Sequence, residues 1–339
     1  MIRIGMLSFW HVHARDYVRQ ATQHPDTQIV AVWDEVPERG QAEAKAREAK
    51  FFNRLEDLLA QPEIDAVVVD TPTVNHRDIM LAAARAGKHI FTEKVLAPTL
   101  RECNEIVAAV EKAGVKLTVS LPRLYHGYTH AIKQILDEGQ LGQITLIRTR
   151  LSHNGAIRTP ESPEGWLVGH FFNRAETVGG AMIDLGCHPM YLARLFGGFP
   201  ESVSATYGYV TGREVEDNAV AVLNYPDGAL AVAEAGFVNR FSPFTIEVHG
   251  TEGSLLYGTP EAQLLVKSAK LGAERNAPWQ AKQIPPDLPT AFEQWVAHIQ
   301  QGTTATENIQ AAVDLSALME AANQSAESKC AVRLDSLSR

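Results

Sequence analysis

The chain has 339 residues, 45% hydrophobic and 21% charged, with 24 Gly and 17 Pro, a globular composition that excludes disorder, collagen-like repeats and a small stapled scaffold. At ~150 residues per domain the length predicts two domains, each with its own core. Lys plus Arg is 31 against 40 Asp plus Glu, a formal net charge of −9, and an acidic chain without a basic tract is no binder of nucleic-acid backbones.

The first third alternates strand and helix. Ile2–Leu7, Ile29–Asp34, Ala66–Asp70, His89–Thr92 and Lys116–Ser120 are short apolar runs of the kind that form buried parallel strands. Between them the apolar spacing predicts helices at about 13–23, 37–49, 75–86 and 99–113, with Gly87 and Gly114 at helix ends. Short loops between alternating elements imply a doubly wound parallel sheet. A helix from Gly127 to Glu138 and a strand at 143–152 follow, then irregular sequence up to a helix beginning near Asp184. Extended runs at 202–210, 218–225, 229–237, 244–249 and 253–257, with a turn at Pro226-Asp227-Gly228, predict an open, mainly antiparallel sheet. Helices at 289–301 and 306–327 close the chain. The expected division is a Rossmann-type domain over 1–121 and an α+β domain over 122–339. Cys103, Cys187 and Cys330 have no C-x-x-C spacing, so neither a disulfide framework nor a cysteine zinc site is expected. With no secretory leader and no apolar run near ~20 residues, a cytoplasmic location off the membrane is expected.

Ligands of a doubly wound sheet bind beyond the carboxyl ends of its strands. After the first strand the sequence reads Ser8-Phe9-Trp10-His11-Val12-His13, with Ser8, Trp10 and His13 where a dinucleotide-binding turn carries glycines. Asp34 ends the second strand, either a turn aspartate or the acid that hydrogen-bonds a ribose 2′-hydroxyl and favours NAD over NADP. Asp70-Thr71-Pro72-Thr73-Val74-Asn75-His76 ends the third, with Thr73 or Asn75 a candidate helix cap, and Glu93-Lys94-Val95 ends the fourth. In Gly179-Gly180-Ala181-Met182-Ile183-Asp184-Leu185-Gly186-Cys187-His188, helical geometry from 184 onward would put Asp184 and His188 on one face, a pair suited to proton transfer. An aspartate cap and an incidental histidine is the plainer reading. His11-Val12-His13 also has the form of an amidohydrolase zinc motif; the strand–helix pattern stops short of a barrel, and no metal is expected.

Asp70–His76, Ala86-Gly87-Lys88-His89, Glu93-Lys94, Gly180-x3-Asp184-x-Gly186-x-His188 and Gly139-Gln140-Leu141-Gly142 together resemble the Gfo/Idh/MocA-type oxidoreductases, over nearly the whole chain. The resemblance implies a Rossmann domain, an open-sheet domain, and reversible NAD(P)-dependent oxidation of a hydroxyl on a sugar, inositol or related polyol. It assigns catalysis to Lys94, Asp184 and His188, with Lys94 touching both nicotinamide ribose and reacting oxygen, and His188 as general acid/base. Cofactor contacts fall to Ser8, Phe9, Trp10, His11, Asp34, Thr71, Pro72, Asn75, His76, Glu93 and Lys94; substrate contacts fall to Lys94, Arg123, Tyr125, Asp184 and His188. His153 and Trp166, with Arg158 and His170, lie in a stretch that can reach the same cleft, and of these His153 and Trp166 are taken as substrate contacts, a purely structural role being the alternative for all four. Val95 replaces the family motif's proline, which is expected to relax the backbone holding Lys94. NAD is expected over NADP, and the family implies a homodimer or homotetramer paired through the second sheet. A redox-neutral, NAD-using glycoside-cleaving enzyme and a non-catalytic ligand sensor are the competing readings.

Overall fold

Ala66–Val69 reads Ala-Val-Val-Val with every residue buried, and strands covered on both faces need no apolar–polar alternation. The computed structural model describes residues 1–338 apart from 259, 260, 273, 275 and 276. It divides into two compact units, residues 1–121 with 289–316 and residues 122–288 with 317–338.

In the first unit β1 (Ile2–Leu7), β2 (Thr27–Trp33), β3 (Lys50–Phe51), β4 (Ala66–Val69), β5 (His89–Thr92) and β6 (Leu117–Val119) form a sheet in the order β3-β2-β1-β4-β5-β6. All pairs are parallel. The order reverses beside β1, and that switch puts the loops after β1, β2 and β4 at one edge, where a ligand binds in this topology. The crossover helices are α1 (Ala14–Gln23), α2 (Pro37–Ala46), α3 (Leu55–Leu59), α4 (His76–Arg85) and α5 (Leu100–Ala113). A Thr99–Glu102 capping box starts α5, and Gly114 ends it at φ +68°. Two features depart from the expected pattern: α2 stops at Ala46 rather than 49, and the chain then enters β3, a two-residue strand.

Chain from the far end completes this unit. Phe292 and Trp295 of α9 (Ala291–Gln301) are fully buried against Phe91. Asn308 donates to the Val119 carbonyl and accepts from the Val119 amide, at 2.9 and 2.8 Å, so a side-chain amide pairs with an edge strand that would otherwise be open.

The second unit carries α6 (Gly127–Asp137), β7 (Ile144–Ser152), α7 (Arg174–Thr177), α8 (Cys187–Gly197), β8 (Ser202–Gly208), β9 (Asn218–Asn224), β10 (Leu230–Gly236), β11 (Thr245–Gly250), β12 (Gly253–Tyr257), β13 (Leu264–Ser268) and β14 (Gln280–Lys282). After α10 (Thr306–Ser328), β15 (Val332–Arg333) joins them. Among the described residues the sheet order is β14-β13-β12-β11-β7-β10-β9-β8-β15. Only β7 and β10 run parallel; the other neighbours are antiparallel, as the hairpin signals predict. Alternation along β9, with Ala219, Ala221 and Leu223 buried, marks a sheet covered on one face. α8 packs on that face against β7 and β10. No helix among the described residues is long and apolar enough to cross a membrane.

Candidate active site

The turn after β1 keeps the backbone of the glycine it lacks. Ser8 stands at φ +77°, a region glycine enters without steric cost and other residues rarely do. Its hydroxyl donates to Glu35 at 2.9 Å and accepts the Trp10 amide at 3.0 Å. Asp34 proves to be a structural tie. Its carboxylate accepts the Phe9 amide (3.0 Å), the Val36 amide (2.7 Å) and both arms of Arg39 (2.8 Å each), with no side-chain surface exposed. Phe9 and Trp10 are buried, Phe9 under the Arg47 guanidinium. The two amides that a phosphate would meet in a glycine turn are therefore already satisfied, and a pyrophosphate here relies on the N-terminus of α1. His13 is the residue that opens that helix.

The edge beyond β4 suits a hydroxyl-bearing ligand. Both carboxylate oxygens of Asp70 and the hydroxyl of Thr71 are buried without a hydrogen-bond partner among the described residues, an arrangement costly unless a ligand completes it. Burial, with Glu35 nearby, pushes the Asp70 pKa well above the usual carboxylate range. Asp70 was not among the expected site residues; the available signal was an acid at the end of an entirely apolar strand. Pro72 is buried and Asn75 exposed, and neither Thr73 nor Asn75 caps a helix through its side chain. His76 faces inward. Its ring nitrogens meet the Val95 (2.9 Å), Leu96 (3.3 Å) and Thr71 (3.2 Å) carbonyls, and burial outweighs those carbonyls to hold its pKa down at about 4. His76 thus ties the β4 loop to the β5 loop rather than presenting itself to a ligand. The Lys94–Val95 peptide is cis. Val95 is buried, with its carbonyl 2.9 Å from His76 Nδ1.

Glu93 and Lys94 are both buried, with Nζ 3.8 Å from Oε1. Burial alone would raise the Glu93 pKa, but His11, His13 and Lys94 outweigh it and hold the carboxyl at about 2. The Tyr17 hydroxyl donates to Glu93 Oε2. Tyr17 gave no sequence signal beyond its place in an amphipathic helix.

In the second unit Met182–Gly186 is π-helical, and regular α8 starts only at Cys187. The i, i+4 argument for Asp184 and His188 therefore fails in detail, since a π-turn changes the spacing; such turns recur at functional sites. His188 is buried, its Nδ1 3.0 Å from the Tyr191 hydroxyl. That hydroxyl also accepts the Arg123 amide at 3.0 Å, so one oxygen links the Arg123 backbone to the imidazole, donating to Nδ1 or accepting Nδ1–H according to the ring's tautomer. Arg123 thus acts through its backbone, while its guanidinium stacks on Phe244 and donates to Tyr128. The Tyr125 carbonyl accepts the Leu288 amide at 2.8 Å. His153 stacks between Phe237 and Trp166; burial lowers its pKa and the nearby Asp184 charge partly restores it. The structure thereby groups His153, Trp166 and Asp184. Arg158 is an exposed partner of Glu164, and His170 lies against Phe171.

Glu216, absent from the expected set, holds this segment. Its carboxylate accepts the Gly180 (2.9 Å) and Met182 (3.0 Å) amides, and its carbonyl accepts the Ala181 amide (2.9 Å). A Cβ at Gly180 would lie 2.1 Å from that carbonyl oxygen, so glycine alone permits the approach. Glu216→Ala is expected to cut kcat about tenfold or more by loosening the π-turn, with dinucleotide affinity unchanged. Steady-state kinetics beside a cofactor titration check this; unchanged kcat would make Glu216 a packing residue only. The cavity of ≈ 230 Å³ beside Glu216, lined also by Arg174, Tyr207 and Asn323, contains none of the expected site residues.

Residues 3–121 match the family described as "Oxidoreductase family, NAD-binding Rossmann fold", and 129–256 match the GFO/IDH/MocA C-terminal domain. The chain is 33% identical to 1,5-anhydro-D-fructose reductase of Ensifer adhaerens over 285 residues, 83% of this chain and 82% of that one. It is 30% identical to scyllo-inositol 2-dehydrogenase (NAD(+)) of Bacillus subtilis (strain 168) over 307 residues, 87% and 81% of the two. A solved structure of levoglucosan dehydrogenase, in complex with NADH and levoglucosan, superposes with a TM-score of 0.80 at 20% identity, covering 98% of this chain and 99% of the other.

Proposed function

The chain belongs to the GFO/IDH/MocA family of NAD-binding oxidoreductases, and from that premise we propose that it transfers a hydride between NAD and a carbinol or carbonyl carbon of a sugar, inositol or similar small polyol. NAD, when bound, supplies the hydride acceptor; the protein supplies alignment and charge. Thr71, Pro72, Glu93, Lys94 and the Ser8–His11 turn hold the dinucleotide, with Asp70 added as a partner for a ribose hydroxyl. Lys94 stabilises the oxygen on which negative charge develops as the hydroxyl proton leaves. His188 takes or returns that proton. Asp184, His153 and Trp166 orient the substrate, with Tyr125 and Arg123 beside them.

The observation that carries this reading is the His188–Tyr191–Arg123 chain of hydrogen bonds, which holds the imidazole in one orientation as a general acid/base requires. The protein works in the cytoplasm, paired as a homodimer or homotetramer through the second sheet. Val220 and Leu230, each 41% exposed on neighbouring strands, support that pairing.

Titration of cofactor-free protein with NAD, NADH and NADP, followed by a polyol screen for NADH absorbance, tests the reading. Micromolar NAD binding and NADH formation with a polyol are expected. Failure of every dinucleotide to bind would overturn it. Binding without turnover across the screen would instead favour a sensing role, to which the internally satisfied Phe9 and Trp10 amides already lend some weight.

A further inference from the structure

Of the His11-Val12-His13 motif, hydride transfer uses only the backbone turn at His11 and leaves His13 without a part. The fold gives the pair a third member in Glu93, itself also placed beside the dinucleotide. His11 and His13 follow β1 and Glu93 follows β5, 80 residues away from His13, yet one ligand atom from each lies within 4.8 Å of the others. Glu93 Oε2 is 3.2 Å from His13 Nδ1 and 4.0 Å from His11 Nδ1. We propose that His11, His13 and Glu93 bind a divalent transition-metal ion of the zinc class, as a two-histidine, one-carboxylate site with open coordination positions.

The donor set is the first argument. Two imidazoles and a carboxylate suit zinc, cobalt, nickel or ferrous iron rather than magnesium or calcium. At metal–ligand bonds near 2.0–2.1 Å, tetrahedral ligand atoms sit about 3.3 Å apart. The His13–Glu93 separation already meets that value, and small imidazole rotations bring His11 in.

The supporting shell is the second. Tyr17 donates to Glu93 Oε2, the kind of outer hydrogen bond that orients a metal-binding carboxylate. The His11 amide is tied to the Asp70 carbonyl at 3.3 Å and the Glu93 amide to the Val69 carbonyl at 3.0 Å, so both ligand-bearing turns are anchored to β4 and its loop. The two rings share one short loop with centroids 4.5 Å apart; the His13 amide donates to His11 Nδ1 at 3.2 Å, a bond that an ion on that nitrogen displaces.

Access is the third. Glu93 and His11 are buried, whereas the His13 side chain is 37% exposed. An ion therefore has a route in from solvent, and the open positions take water or a ligand oxygen. Lys94 Nζ, 3.8 Å from Glu93 Oε1, opposes the ion electrostatically but lies on the carboxylate oxygen away from the histidines.

The site is tested on tagless full-length protein, stripped with a chelator and titrated with Co2+ by absorbance and with Zn2+ by calorimetry, without dinucleotide or substrate. One equivalent is expected to bind with micromolar or tighter affinity, and Co2+ to show the visible absorption of a low-symmetry nitrogen–oxygen site. His13→Ala, at a partly exposed position, and Glu93→Gln, close to isosteric, are each expected to weaken binding about 100-fold or more with circular dichroism unchanged. No saturable binding up to ~100 µM, or binding unaltered in the His13 variant, would overturn the site. The readout involves no turnover, so its failure leaves the redox reading standing, and the reverse.

Discussion

Lys94→Ala is expected to lower kcat by about a thousandfold, the scale of losing one preorganised stabiliser of developing oxyanion charge. The ammonium is buried beside Glu93, in a setting where a charge acts more strongly than in water. Alanine also removes the aliphatic stem from its packing, so Lys94→Met serves as the volume-matched control. Both variants are expected to lose turnover while only the alanine form loses thermal stability. The measurement is kcat and KM with NAD saturating, alongside a dinucleotide titration. Full activity in Lys94→Met would remove the lysine from the chemistry.

Asp34→Ala is expected to cost about 3–5 kcal/mol of stability, the loss seen when one partner of a buried ion pair is removed. The side chain accepts two backbone amides and a bidentate guanidinium. Without it the Phe9 amide loses its acceptor, and Arg39 keeps Glu35 at 2.7 Å and the Ser8 hydroxyl at 3.4 Å. Urea unfolding at pH 7 measures the change, and NAD and NADP affinities are measured on the same samples under folded conditions. A large fall in stability with NAD and NADP weakened alike identifies Asp34 as the tie between the β1 and β2 loops. Unchanged stability with a selective loss of NAD would restore it as a direct ribose ligand.

The long apolar strands and the amphipathic helices were legible because one-dimensional pattern carries them: β1 and β5 begin and end where their apolar runs do. Lys50–Phe51 and Leu55–Leu59 were not, since two and five residues are too short to establish a period. The π-turn at Met182–Gly186 escaped for a different reason. Nothing in Met-Ile-Asp-Leu-Gly separates a π-turn from an ordinary helical one, and the carboxylate and carbonyl of Glu216 that hold the three successive amides at its entrance come from a segment distant in sequence. Much the same holds at the site. His11, Glu93, Lys94 and His188 stood out by type and place, as Asp70 could have at the end of an apolar strand, but Tyr17, Tyr191 and Glu216 act through partners that no local spacing reveals. Asp34 stood out by its place at the end of β2, as a turn aspartate or a ribose ligand; its grip on Arg39 was not legible, because Arg39 reaches back across a loop whose shape only the folded chain defines.

The Val119–Asn308 pairing spans 189 residues. At ~5–20 residues per second of synthesis, Asn308 leaves the ribosome about 10–40 s after the strand it completes. Throughout that interval the nascent Rossmann sheet lacks the Phe292 and Trp295 cover of Phe91, and its last strand has an open edge. An amino-terminal fragment ending near residue 121 therefore lacks part of its own first unit, and that unit is complete only once residues 289–316 have been made.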